Sequence, residues 1–164
     1  MSERITGSFV ALITPMNDDY SIDFAGFEHL ISFQADHGTS ALLMMGSSGE
    51  VSMLSESERH SVVERTMPMK PDGVEMWFGC TGATTDATID YVAQAAKSGA
   101  DGAIVATPSY IVPSRTDTVQ FFLDVADASP IPIGVYNNPP RVQTDLRSED
   151  LLKIASHENV AVLK

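Results

Sequence analysis

Short apolar segments rich in β-formers alternate along this chain with stretches that have the spacing of amphipathic helices. Each strand and helix together occupy about 30 residues, a length typical of a βαβ unit. The six apolar segments read SFVALITP, SALLMMG, VEMWFGC, GAIVATP, IPIGVYN and VAVLK. Apolar strands separated by helices indicate a parallel sheet that is covered on both faces. The alternation therefore predicts an α/β chain with six strands and five helices.

Capping residues mark where the predicted helices begin and end. Asp23 and Ser148 are good N-cap residues, and Ser55 with Glu58 has the spacing of a capping box. The segment KSGADG supplies a glycine just past a predicted helix end. These signals agree with the strand–helix alternation, so the same elements are predicted by two independent features of the sequence.

Two architectures fit this alternation. A doubly wound open sheet is complete with six strands, whereas an eight-stranded (β/α) barrel needs about 250 residues. The glycine-rich dinucleotide fingerprint would favour the open sheet, but the turns after the first and second strands lack its spacing. Periodicity alone leaves both architectures open, and a Rossmann-like nucleotide binder is the less favoured interpretation.

Composition excludes several classes of protein. The 164 residues carry a formal net charge of -12 and no cluster of Lys and Arg, which argues against nucleic-acid binding. A single cysteine, Cys80, excludes an internal disulfide framework, and the four histidines have no zinc-site spacing. No apolar run approaches the roughly 18 residues of a membrane span. We expect a cytoplasmic protein without a metal or other cofactor and without a membrane partner.

Polar side chains follow the predicted strands at their carboxyl ends. In parallel α/β proteins this edge of the sheet carries the binding and catalytic residues. The segments that reach it are Thr14-Pro15, GSSGE at 46–50, GCTG at 79–82, TPSY at 107–110, YNNPPR at 136–141 and Lys164. This distribution predicts an active site at that edge.

The GSSGE turn has the composition of an anion-binding loop. Gly46 and Gly49 permit tight backbone geometry, and successive N–H groups with the hydroxyls of Ser47 and Ser48 could hold a carboxylate or phosphate. A plain Gly-Ser turn is the alternative interpretation of the pentapeptide alone.

Lys164 closes a strand that is predicted to be buried. It is either a snorkelling terminal residue or a nucleophile whose ammonium form is destabilised by burial. Schiff-base formation also needs a group that carries protons to and from the carbinolamine. Tyr136 ends the preceding strand and is the candidate for that group.

Several ordered motifs together resemble one known family. They are ALITPM, GSSGE followed by LSESER, GADGAIVATPSYIVPS, PIGVYNNPPR and NVAVLK, and they extend along essentially the whole chain. In this order and spacing they resemble the 4-hydroxy-tetrahydrodipicolinate synthase and N-acetylneuraminate lyase family of class I aldolases. The resemblance implies a (β/α)8 TIM barrel, of which residues 1–164 would be the amino-terminal part of a single domain, strands one to six.

The resemblance also implies roles for individual residues. Lys164 would form a Schiff base with pyruvate or another 2-oxo acid, so no separate cofactor is expected, and Tyr136 would donate and accept protons. The resemblance implies that Gly46, Ser47 and Ser48 bind the pyruvate carboxylate. Ser47 and Tyr110 would relay protons. Arg141 would bind the carboxylate of the second substrate. Tyr110 typically reaches a neighbouring subunit in such enzymes, which implies a homodimer or homotetramer.

The chain departs from the family pattern at three places. The usual two threonines of the strand-two turn are Ser47 and Ser48, the usual doubled tyrosine reads Ser109-Tyr110, and the usual Thr-Gly after Arg141 is Val142-Gln143. The predicted activity is condensation of pyruvate with an aldehyde, with aspartate semialdehyde as first choice because Arg141 is present. The alternatives are a 2-keto-3-deoxy sugar-acid or N-acetylneuraminate-type aldolase or dehydratase, and a non-catalytic barrel that binds a 2-oxo acid.

Overall fold

The structure, a computed structural model, describes residues 6–164. All six predicted strands are present in it. They are β1 (Ser8–Ala11), β2 (Thr39–Met44), β3 (Glu75–Gly79), β4 (Gly102–Ala106), β5 (Ile133–Tyr136) and β6 (Val160–Leu163). The helices are α1 (Phe24–Asp36), α2 (Glu56–Thr66), α3 (Thr85–Lys97), α4 (Arg115–Ala128), α5 (Pro139–Val142) and α6 (Ser148–Ala155), with short 3-10 helices at Val51–Met53 and Met67–Met69.

The described residues divide into two compact units. The amino-terminal unit comprises residues 6–79 with Lys97–Asp101, and the carboxy-terminal unit comprises Cys80–Ala96 with Gly102–Lys164. Within the first unit β1 pairs in parallel with β2, and β2 with β3. Within the second unit β4 pairs in parallel with β5, and β5 with β6. Strands that are consecutive in the chain are therefore neighbours in each unit, and a helix lies in the crossover between them, as parallel pairing requires.

The amino-terminal unit has a core of large side chains from its strands and helices. Phe27 and Phe78 are fully buried and Trp77 is 2 % exposed, and burial of each such side chain contributes about 1.5–3 kcal/mol. The Trp77 indole N–H donates to Glu75 Oε2 at 2.7 Å, which satisfies its polar atom. Asp101 accepts from the backbone N–H of Met76 at 2.7 Å and fixes the Lys97–Asp101 segment against β3.

The carboxy-terminal unit is held by an apolar core and an ion-pair cluster. The core includes Phe122, Val125, Val135 and Ile154 together with Ile133, all fully buried. At the start of α4 the Arg115 guanidinium donates to Glu149 Oε1 and Asp150 Oδ2, both at 2.7 Å, which joins α4 to α6. The hydrogen bond to Glu149, and to a smaller extent the one to Asp150, raises the pKa of Arg115 above its ordinary value.

The predicted N-caps are observed for two of the three helices. Asp23 caps α1 by accepting from Gly26 N–H at 3.0 Å, and Ser55 and Glu58 form the predicted capping box of α2. The prediction of Ser148 as an N-cap is wrong by one position, because Arg147 is the N-cap and Ser148 is the first helical residue. Arg147 N–H donates instead to the Asp150 carboxylate at 2.9 Å, so this helix start is satisfied by the third residue of the helix.

Two further features differ from the sequence prediction. The structure has one helix more than the five predicted, the single turn α5. This helix begins with two prolines, whose fixed φ suits a first turn and whose missing N–H groups need no acceptor there. The predicted burial of β6 is not observed among residues 6–164, where Ala161 and Leu163 are exposed and Val160 and Val162 are half-buried. Among residues 6–164, β6 has β5 as its strand neighbour on one edge, so much of its surface meets solvent.

None of the helices within residues 6–164 is both long and apolar enough to cross a membrane.

Candidate functional site

Tyr136 and Lys164 lie opposite each other at the carboxyl ends of β5 and β6. Lys164 N–H donates to the Val135 carbonyl and Asn137 N–H donates to the Lys164 carbonyl, both at 2.9 Å. In a parallel ladder these two bonds flank the residue that faces Lys164, which is Tyr136. Residues opposite each other project to the same face, so the ladder itself brings the two side chains together.

The side chains of this pair are in contact. Lys164 Nζ lies 4.5 Å from the centroid of the Tyr136 ring, within the range of a cation–π interaction. Tyr136 is half-buried and Lys164 is exposed. The burial of Lys164 that the sequence predicts is therefore not supplied by the described residues of this chain. An amine and a phenol nevertheless stand side by side at the expected edge of the strands.

An apolar layer lies one step further down the same face. Gly134 and Val162 precede Tyr136 and Lys164 by two residues and are paired with each other. A Cβ atom on Gly134 would lie 2.4 Å from Ile104 Cδ1 and 3.1 Å from Val162 Cβ, so the glycine leaves the room that the Ile104 side chain fills. Ile104 is 5 % exposed. The amine–phenol pair is therefore supported from below by packed hydrocarbon.

The segment after β5 is tied to the loop that leads into α6. The Asn137 side-chain amide donates to Leu146 O at 3.2 Å, and its oxygen accepts from Leu146 N–H at 3.3 Å. The same amide reaches Asp145 Oδ1 at 3.3 Å. Arg141 lies on α5 and is exposed, so its guanidinium is open to solvent on this segment.

Tyr110 lies in the loop between β4 and α4. Its side chain is 98 % exposed, and its backbone has φ of 80°, a conformation that non-glycine residues rarely adopt. Val112, two residues later, also has a positive φ of 45°. The loop therefore presents the phenol of Tyr110 away from its own unit, and the structure does not bring Tyr110 together with Tyr136.

The GSSGE turn belongs to the amino-terminal unit and follows β2. Met45 before it and Glu50 at its end have φ of 54° and 52°, and Gly49 N–H donates to the Gly46 carbonyl at 3.1 Å. Thr14, which follows β1, donates its hydroxyl to the Gly49 carbonyl at 2.7 Å. These contacts fix the turn and leave its two serines, Ser47 and Ser48, exposed. Gly46 is half-buried.

Asn138 is a site residue that the sequence reasoning missed. Its Nδ2 donates to the Tyr136 phenol oxygen at 2.8 Å, and both side chains are half-buried. The only signal in the sequence is the position of Asn138 two residues after Tyr136 in YNNPPR, which does not reveal where an asparagine side chain points.

The fold and the site together are those of a parallel α/β protein in which a lysine and a tyrosine are in contact at the carboxyl ends of adjacent strands. Comparison with known proteins gives the family. The model of the dihydrodipicolinate synthetase family matches residues 4–164. The chain belongs to this family.

Curated relatives of the chain include two bacterial 4-hydroxy-tetrahydrodipicolinate synthases. The protein from Acidiphilium cryptum is 37 % identical over 158 residues, which cover 96 % of this chain and 54 % of the relative. The protein from Gluconacetobacter diazotrophicus is 34 % identical and is covered to 53 %, again with 96 % of this chain. The chain thus spans about half the length of the curated relatives that it matches.

Solved structures give the same result for the fold. Dihydrodipicolinate synthase from Acinetobacter baumannii, solved with pyruvate, has a TM-score of 0.93 at 29 % identity, covering 98 % of this chain and 55 % of that one. The enzyme from Aquifex aeolicus has a TM-score of 0.91 at 34 % identity, covering 96 % of this chain and 54 % of that one. The predicted fold class, strands one to six of a (β/α)8 barrel, is confirmed.

Proposed function

We propose that the protein is a Schiff-base-forming lyase or synthase that condenses pyruvate with an aldehyde. The observation that carries this proposal is the contact between Lys164 Nζ and the Tyr136 ring at the carboxyl ends of two paired strands. Family membership supports it, because curated relatives are 4-hydroxy-tetrahydrodipicolinate synthases and the Acinetobacter baumannii structure is a complex with pyruvate.

The first stage of the proposed reaction forms the iminium. The neutral amine of Lys164 adds to the keto carbon of pyruvate, and a proton moves from nitrogen to the former keto oxygen to give the carbinolamine. Tyr136 donates its phenol proton to the carbinolamine hydroxyl, which leaves as water. The nitrogen lone pair forms the C=N bond of the iminium, and the phenolate of Tyr136 remains.

The second stage makes the carbon nucleophile. The phenolate removes a proton from the pyruvate methyl group, which restores the phenol. The electrons of the broken C–H bond form a C=C bond, while the C=N pair returns to nitrogen, so a neutral enamine results. The enamine carbon then attacks the aldehyde carbon, the aldehyde oxygen takes the phenol proton of Tyr136, and the C=N bond of an iminium forms again. Water adds to this iminium and gives a proton back to the phenolate, and collapse of the carbinolamine releases the product and Lys164. Because the iminium is the electron sink, this scheme uses no metal or organic cofactor.

The other predicted site residues have proposed roles in binding and proton relay. Ser47 and Ser48 have exposed hydroxyls on a fixed turn, and with the Gly46 backbone they are proposed to hold the pyruvate carboxylate. Ser47 and Tyr110 are also proposed to relay protons. The 98 % exposure of Tyr110 suits a side chain that completes the site of a second copy in a homodimer or homotetramer.

Aspartate semialdehyde is the proposed aldehyde, which would place the protein in lysine biosynthesis in the cytoplasm. The exposed guanidinium of Arg141 can form paired hydrogen bonds with the carboxylate of this substrate. A sugar-acid aldolase or dehydratase is the second candidate. It is favoured because Val142 and Gln143 replace the usual Thr-Gly after Arg141, and Gln143 has a positive φ of 58° at the end of α5. Turnover of pyruvate with aspartate semialdehyde, measured beside a panel of 2-keto-3-deoxy sugar acids, separates the two; no turnover with the semialdehyde would exclude the first.

Borohydride trapping tests the proposed chemistry in the full-length protein. Reduction in the presence of pyruvate should add the mass of a reduced pyruvyl group at Lys164, found by peptide mass spectrometry. Lys164→Ala should lose this adduct, whereas Lys153→Ala removes an exposed lysine of α6 and should retain it. A folded protein that binds pyruvate without forming the adduct would be the non-catalytic 2-oxo-acid-binding alternative.

A further inference from the structure

We propose that Asn138 is a positioning residue for the proton transfers of Tyr136. Its side-chain amide holds the phenol oxygen from one side, so that the phenol hydrogen points toward the reacting atoms, and it stabilises the oxygen when the proton has left. This inference rests on the proposed function, since it assigns a partner to the proton-carrying tyrosine.

The contact itself is short and local. Asn138 Nδ2 donates to Tyr136 Oη at 2.8 Å in a half-buried environment. The two residues are separated by one residue, directly beyond the last position of β5. The donor, Asn138 Nδ2, therefore lies at the same strand end as the phenol, and its position does not depend on a distant element.

The Asn138 side chain is free for this contact because the helix it precedes does not need it. Asn138 is the N-cap residue of α5, a position where an asparagine side chain usually accepts from a backbone N–H of the first turn. Here Pro139 and Pro140 have no N–H, and the N–H groups of Arg141 and Val142 both donate to the Asn138 carbonyl. No side-chain capping bond is made, and the amide is directed to the phenol instead.

The backbone that carries the amide is fixed on both sides. The Asn138 carbonyl accepts the two N–H groups of α5 at 2.9 and 3.2 Å, and Asn137 N–H is bonded to the Lys164 carbonyl at 2.9 Å. A residue before proline also has restricted backbone angles. Little further conformational entropy is lost when the amide meets the phenol, so the contact orients Tyr136 efficiently.

The chemical effect follows from the direction of the hydrogen bond. The amide N–H occupies one acceptor position of the phenol oxygen, so the phenol hydrogen must point to another partner. When Tyr136 gives this hydrogen to the carbinolamine hydroxyl, the remaining phenolate accepts the same amide bond more strongly, because hydrogen bonds to charged oxygens are the stronger ones. Asn138 thus favours the intermediate state between the two proton transfers of the proposed reaction.

The test follows proton transfer separately from imine formation in the full-length protein. The exchange of pyruvate methyl protons for deuterium is measured by NMR and divided by the fraction of Lys164 that borohydride traps at equilibrium. Asn138→Ala and the isosteric Asn138→Asp should each lower this ratio roughly tenfold or more, the usual effect of losing one hydrogen bond to a charged group. Dividing by the trapped fraction corrects for any change in the amount of iminium, so the ratio reports the proton transfer that follows iminium formation.

Controls separate this role from a structural one. Asn17→Ala removes an exposed amide that donates to the Ser21 hydroxyl at 3.0 Å, and it should leave the ratio at the wild-type value. Unchanged exchange in both Asn138 variants overturns the inference, and so does a defect in the alanine variant alone, because aspartate keeps the shape but cannot donate. If the alanine variant does not fold, the aspartate variant decides. A wild-type protein with neither adduct nor exchange would instead overturn the proposed function.

Discussion

Lys164 faces Tyr136 directly across the β5–β6 ladder, with its Nζ 4.5 Å from the centre of the phenol ring. The two backbone bonds of Lys164, to Val135 and Asn137, set this register. Because residues opposite each other in a ladder project to the same face, this register brings the amine and the phenol together. The contact is thus set by the pairing of β5 with β6.

The phenol hydroxyl of Tyr136 should be needed for chemistry and dispensable for folding. Tyr136→Phe keeps the ring beneath Lys164 Nζ but removes the group that carries the proton, so turnover should fall by about 10²–10⁴-fold. Steady-state kinetics with pyruvate and the aldehyde, beside a thermal melt, would check both parts. Tyr20→Phe, at a tyrosine that is 85 % exposed, is the matched control and should be fully active. Full activity in the Tyr136 variant would remove this residue from the mechanism.

Gly134 should be required by the apolar layer below the pair. Gly134→Ala places a methyl group 2.4 Å from Ile104 Cδ1 and 3.1 Å from Val162 Cβ, which should destabilise the protein by about 1–3 kcal/mol in urea unfolding. Ile104→Val removes the Cδ1 atom and should by itself cost about 0.5–1.5 kcal/mol. The double variant should be more stable than the sum of the two effects predicts. Strict additivity would show that the two side chains do not compete for space.

Gly79 should tolerate alanine less well than Gly134. A Cβ on Gly79 would lie 1.9 Å from the carbonyl oxygen of Met45, and a backbone atom cannot rotate away as an isoleucine methyl can. Gly79→Ala should therefore cost about 3 kcal/mol or more, or prevent folding. Gly73→Ala is the control, because nothing lies within 4 Å and only the backbone strain of a φ of 75° applies, about 1 kcal/mol. Equal effects at the two glycines would contradict the predicted clash.

The capping box of α2 should make stability depend on pH. The Ser55 hydroxyl, and then the Ser55 backbone N–H, hold the pKa of Glu58 below its ordinary value of 4.5. A lowered pKa in the folded state means that the carboxylate stabilises the fold above that ordinary value. This stabilisation is lost as the pH falls through the lowered pKa.

The measurement is a series of melting temperatures between neutral pH and the acid range for wild type and Glu58→Gln. The difference between them should be largest near neutral pH and shrink below the ordinary pKa of the carboxyl group. Glu56→Gln changes a neighbouring exposed carboxylate of the same helix turn and is the matched control. A wild-type advantage that grows on acidification would contradict the sign of this prediction.

The elements and their order could be predicted from residues that are close in sequence. Apolar runs bounded by polar turns located all six strands, and local signals such as Asp23 and the Ser55–Glu58 pair marked helix starts, because such caps involve residues only three apart. The sequence also placed Tyr136 and Lys164 at the ends of consecutive strands. What it could not give was the register that sets these two opposite each other, nor the direction of the Asn138 amide, because both depend on atoms brought together across turns.

Burial and the packing beneath the site could not be predicted in this way, because they depend on contacts between distant residues. An alternating apolar run predicted a buried β6, yet Ala161 and Leu163 are exposed among residues 6–164. Burial depends on which elements cover a strand, and a strand's own residues do not specify them. Likewise Gly134 looks like any glycine of a strand until Ile104 is seen to fill the space above it. Local chemistry is encoded by neighbours in sequence, whereas the packing around Lys164 and Tyr136 is set by neighbours in space.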